Sequence, residues 1–164
     1  MLPLIPQLKI FPVKGREARE YLLHQGCLIG SETITLPNHL KMVPLSGGEI
    51  TYAVMHNRDE VFRMQYHHLT NRYWIVVPVQ YRVTFLELAR SYGIDTLLNA
   101  GVFGCYGTML QLMQGIPVQR PIALATLERL SLYTGHPCDL ENVKIALAEE
   151  ANEEKERETN LVRY

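Results

Sequence analysis

An α+β fold in two parts is what this sequence predicts, and three observations carry that expectation. Short runs of alternating polar and apolar residues, punctuated by turn residues, fill the first half. From about residue 83 the apolar residues recur three and four apart, the helical period. The charge divides at the same place: residues 1–82 hold nine Lys or Arg against six Asp or Glu, and residues 83–164 hold seven against eleven, a net +3 and −4. The expected organisation is therefore a mixed α/β region with an antiparallel sheet over 1–82, a helical bundle over 83–150 and a charged tail over 151–164.

Taken in order, Gln7 to Phe11 alternates as a half-buried strand should. Gly15 to Gln25 reads as a short helix stopped by Gly26, with Ala18, Tyr21 and Leu22 on one face. Strands are expected over 31–36, 40–45, 49–56, 60–68 and 73–81, separated by Pro37-Asn38, Ser46-Gly47-Gly48, Asn57-Arg58-Asp59 and Thr70-Asn71. Together they make an antiparallel meander. Val61, Met64, Gln65 and His68 would equally fit one face of a helix, and Pro78 interrupts the apolar run from Trp74 to Val79.

In the second half helices are expected over about 83–92, 95–102, 105–114, 123–134 and 139–150. Leu86, Leu98, Met109, Leu112, Leu127 and Leu130 are the expected core. Gly104 and Gly107 bracket the expected turn between the second and third helices, because glycine adopts backbone angles that branched residues avoid. Thr108 then falls in the first turn of the third helix, where its hydroxyl and N–H can meet a phosphate, with Met109 and Leu112 turned inward. Tyr106, Gly107, Thr108 and Gln111 are left facing outward.

This pattern resembles the Cro/CI repressor-like, or Xre-type, helix-turn-helix family over roughly the C-terminal half. The resemblance is carried by Leu98 and Thr108, ten residues apart, by Gly115 seven further on, and by the closing pattern Arg120-Pro121, Thr126-Leu127, Leu130, Gly135, Pro137 and Asp139-Leu140. It implies a five-helix bundle that binds double-stranded operator DNA, usually as a homodimer, with the helix from 105 laid in the major groove. The candidate DNA contacts are Tyr106, Gly107, Thr108, Gln111, Gln114 and Arg120. Gln111 is the residue best fitted to read a base, since its amide both gives and accepts a hydrogen bond at adenine. No Lys or Arg lies between Arg90 and Arg120, so cations for the phosphates must come from elsewhere. Arg63 is one candidate, within the run Arg58, Arg63, Tyr66, His67, His68, Arg72, Tyr73 and Trp74 that interleaves cations with aromatic rings. Without such cations the same scaffold would serve as an adaptor that docks a protein, as in a toxin-antitoxin, phage or defence system.

Composition narrows the alternatives. A chain of 164 residues with 47% hydrophobic and 20% charged residues is long enough for a sizeable core in one domain or two small ones. No apolar run reaches the length of a membrane span, and the first nine residues lack the pattern of a signal peptide, so a cytoplasmic protein with no membrane partner is expected. Cys27, Cys105 and Cys138 have neither disulfide nor zinc spacing, and His67-His68 point to opposite faces of a strand. No metal or cofactor is expected. Gly101, Gly104 and Gly107 lack the strand and the Lys-Ser of a phosphate-binding loop, and no nucleophile has a partner at catalytic spacing. The expectation is a transcriptional regulator, acting as a repressor by occupying DNA, and not an enzyme.

Overall fold

A computed structural model of the chain describes residues 7–45 and 50–150. Mixed helices and antiparallel sheets make it an α+β protein. The chain divides into two compact units, 1–83 and 84–164. The expected tail over 151–164 and the expected turn at 46–48 lie outside the described residues.

The first unit holds β1 (Gln7–Lys9), α1 (Arg16–His24), β2 (Leu28–Ile29), β3 (Thr33–Thr35), β4 (Lys41–Pro44), β5 (Thr51–His56), β6 (Asp59–His67) and β7 (Arg72–Val76). Two antiparallel sheets result, with strand orders β1-β3-β2 and β4-β5-β6-β7. A parallel bridge from Ile10 to Tyr73, with the Phe11 N–H donating to the Tyr73 carbonyl at 3.0 Å, seats the end of β1 on β7. The expected alternation decides the ambiguous segment: Phe62 and Met64 are buried on one face of β6 while Arg63 is exposed, which only a strand delivers. They join Ile10, Leu22, Ile34 and Val54 in the core. The last expected strand is shorter than 73–81. It stops at Val76, and after Pro78 the chain turns through a short 3-10 segment over Val79–Tyr81. The pair Leu28–Ile29, too short to carry an alternation, is a strand that the sequence does not announce.

α1 starts at Gly15, whose φ of 93° and whose position 2.9 Å from Val83 Cβ, measured from where a Cβ would stand, leave room for no other residue. It ends in a Schellman motif. The Cys27 N–H donates to the Leu22 carbonyl and the Gly26 N–H to that of Leu23, with Gly26 in the left-handed region.

The second unit holds α2 (Phe85–Tyr92), α3 (Ile94–Asn99), α4 (Tyr106–Met113) and α5 (Arg120–Thr134). Thr84 caps α2 by accepting from the Glu87 N–H at 3.2 Å. Pro121 stands in the first turn of α5, where its missing N–H costs nothing, and Gly135 at φ 72° closes the helix. Four of the six expected core residues, Met109, Leu112, Leu127 and Leu130, are buried. Leu86 and Leu98 are only half-buried, and the sealed positions beside them are Phe85 and Leu97.

The fifth expected helix, over 139–150, is not formed as one. Asp139 instead accepts from the Glu141 N–H through its carboxylate at 2.7 Å, and Asn142 Oδ1 accepts from the Asp139 N–H at 2.9 Å. These local bonds offer the backbone an alternative to the helix. Val143 and Lys144 are then extended, and Leu147 forms a parallel bridge with Val118, whose N–H and carbonyl bond to Ala146 and Ala148. Helix begins only at Ala148.

Candidate nucleic-acid interface

The turn between α3 and α4 is built by Gly101 and Gly104, at φ 78° and 80°. This corrects the expected pair, since Gly107 is helical and lies inside α4. Gly101 ends α3 in a second Schellman motif, with Val102 N–H to the Leu97 carbonyl and Gly101 N–H to that of Leu98, both at 3.1 Å. Val102 and Phe103 are thereby turned into the core, where Phe103 meets the Phe85 ring edge to face at 6.0 Å. Gly115, at φ 70°, ends α4 in the same way.

With Met109 and Leu112 inward, α4 presents Tyr106, Gly107, Leu110 and Gln114 to solvent. Thr108 and Gln111 are half-buried and engaged: the Thr108 hydroxyl lies 3.2 Å from Cys105 Sγ, and Gln111 Nε2 donates to the Pro117 carbonyl at 2.9 Å. Gln111 keeps its amide oxygen and its second N–H. Cys105, extended and exposed, precedes the helix. The Thr108 hydroxyl, then the N–H groups of Thr108 and Gly107 and the charge of Arg129, hold its thiol below the ordinary value.

Arg129, on α5, is the residue that the sequence reading passes over. One guanidinium nitrogen donates to the Val102 carbonyl at 3.3 Å and lies 3.0 Å from where a Cβ on Gly104 would stand. A cation therefore stands at the head of a helix whose own sequence has none. Nothing in the spacing of 104 and 129 announces that meeting; the fold makes it. Arg120 begins α5, and its backbone N–H donates to Glu149 Oε1 at 3.1 Å, an interaction that holds the Glu149 carboxyl below its usual range. So Arg120 has a carboxylate beside it. Arg63 belongs to the other unit, on β6, and is bidentate to Glu60.

Among the described residues, no three of His, Cys, Asp and Glu come together to hold a metal ion, and no helix is long and apolar enough to cross a membrane. Comparisons with family models, with curated proteins and with solved structures return no match to this chain.

Proposed function

We propose that the chain is a DNA-binding transcriptional regulator whose helix-turn-helix is α3, the Gly101–Cys105 turn and α4. The observation that carries this reading is the Arg129 guanidinium beside Gly104 at the N-terminal end of α4. A recognition helix meets the duplex with its N-terminal residues, and backbone N–H groups there, reinforced by a cation, favour phosphate. Tyr106, Gly107 and Gln114 are then available to the groove, with Gln111 reading a base through its free oxygen and N–H. Action is by occupancy, as a repressor, and a homodimer supplies the second half-site. The test is binding of the whole chain to the DNA upstream of its own gene against shuffled duplex, across a salt series. Preference for the native sequence, with affinity falling steeply as salt rises, is the expected result.

Tyr106 and Leu110 favour a second reading. They stand one helical turn apart on α4 and are 60% and 40% exposed, an apolar pair on a surface that a DNA-reading helix fills with polar groups. On that reading α4 docks a protein partner. Equal and negligible affinity for both duplexes would make docking the better account.

A further inference from the structure

A cleft of about 440 Å³ opens in the first unit where β1 meets the end of the four-stranded sheet. That volume lies within the roughly 300–1,000 Å³ of small-molecule sites. Three tyrosines from three adjacent strands line it. The register pairs Tyr66 with Tyr73, Tyr52 with Met64, and Met64 with Ile75, so alternation puts all three phenols on the face that carries the core. Deeper on that face Val54, Phe62 and Met64 are sealed, whereas the tyrosines are half-buried. The Tyr73 ring centroid lies 5.2 Å from that of Tyr66 and 6.1 Å from that of Tyr52, with the rings tilted or edge to face, so their surfaces are not consumed in stacking on one another.

The polar groups around those rings are few and of one character. The hairpin from β6 to β7 sets Asn71 at φ 58°, and its Oδ1 accepts from the Tyr66 hydroxyl. Gln7 and Lys9 complete the rim from β1. Among the described residues the lining contains no carboxylate, and its one cation is Lys9. Flat aromatic surface, two carboxamides that both donate and accept, and a single positive charge suit a planar ring with hydrogen-bonding edges joined to an anion. We propose that this cleft binds a nucleotide, with its base against the tyrosines and its phosphate at Lys9. The nucleotide is either free or one unit of a single strand.

The inference does not rest on the reading of α4, because it is tested without duplex DNA. Titration calorimetry on the whole chain would use AMP, UMP, adenosine, ribose 5-phosphate and an eight-residue oligoadenylate. Saturable binding of AMP or UMP is expected, weaker binding of adenosine, and none of ribose 5-phosphate. If the oligoadenylate binds at least as tightly as AMP, the strand is the source; if it fails while AMP binds, the free nucleotide is. Tyr52→Leu should weaken AMP and adenosine alike by about tenfold, the scale of one lost stacking contact. Lys9→Ala, an exposed change that spares the fold, should weaken AMP about fivefold and leave adenosine unaltered, as loss of one partly screened charge contact does. The proposal is overturned if no nucleotide or oligonucleotide binds, if ribose 5-phosphate binds as well as AMP, or if both variants bind like the parent chain.

Discussion

Cys105 and Cys27 are the same chemical group in opposite surroundings. Cys105 is exposed, and Thr108, Gly107 and Arg129 favour its thiolate. Cys27 is buried behind α1, and burial pushes its thiol up to about 11. Since the thiolate is the nucleophile, iodoacetamide at neutral pH should label Cys105 first and leave Cys27 untouched until the unit unfolds, which peptide mass mapping would check. Equal labelling rates in the native protein would contradict these environments. The Cys27 shift also sets a direction for stability. A thiol raised in the folded state keeps its contribution below the unfolded value, about 8.5, and loses it as pH rises toward 11. Tyr21 and Tyr73, raised chiefly by burial, act with the same sign from about pH 10 upward, the ordinary range of a phenol. Urea midpoints should therefore fall between about pH 9 and pH 11, and Cys27→Ala should flatten part of that fall.

Gln111 carries two claims at once. Its amide holds the Pro117 carbonyl and, on the proposed function, reads a base. Gln111→Ala should then lower stability by about 1 kcal/mol, the net worth of one hydrogen bond, and separately cost about 1–3 kcal/mol on the preferred duplex while relaxing discrimination. A loss of stability with unchanged sequence preference would leave Gln111 a purely structural residue.

At the scale of elements, the glycines of the helical unit give a prediction of opposite signs. Gly101 needs its positive φ to close the Schellman motif, while Gly107 sits in α4 with ordinary helical angles, and a Cβ at either would meet open space. Backbone conformation alone decides each outcome. Gly101→Ala should destabilise by about 1 kcal/mol and Gly107→Ala should stabilise by about 0.5–1 kcal/mol in urea denaturation. Two changes of the same sign would mean that the turn is not closed at Gly101.

The same helices show what the sequence can reveal. Period-two alternation is enough for β6, and the helical spacing of Met109, Leu112, Leu127 and Leu130 is enough for the inner faces of α4 and α5. The inner face of α3 is not legible, because Leu97 and Leu98 are equally apolar and only tertiary packing chooses between neighbours. At 139–150 the apolar spacing suits a helix, but the chain closes a local turn through Asp139 and Asn142 and then extends, with Leu147 bridged to Val118, a long-range pairing that the spacing does not announce. The candidate site is legible as a helix with an outward face. Its cation is not, since Arg129 reaches Gly104 across 25 positions of sequence.

For the molecule as a whole, the distribution of charge bears on how DNA would be held. The surplus is +3 over 1–82 and −4 over 83–164, so the unit with the helix-turn-helix pattern is the more acidic one. A single α4 with one flanking cation is too weak to choose one site in a genome, and two half-sites held by a dimer multiply affinity. Sedimentation at micromolar concentration should accordingly show a dimer, with or without duplex. In a salt series, Arg129→Ala should weaken binding to native and shuffled duplex alike and lower the slope of log K against log salt by about one for each half-site, because a phosphate contact releases counterions whatever the base. Arg63→Ala should act in the same sense but less, since Glu60 already pairs with its guanidinium, and Arg120→Ala should act in the same sense, its backbone N–H rather than its guanidinium being what holds Glu149. A monomer in every condition would remove the second half-site, slopes unmoved by Arg129→Ala would remove the cation on which the DNA reading depends, and either would leave the Tyr106 and Leu110 surface as the functional face of α4.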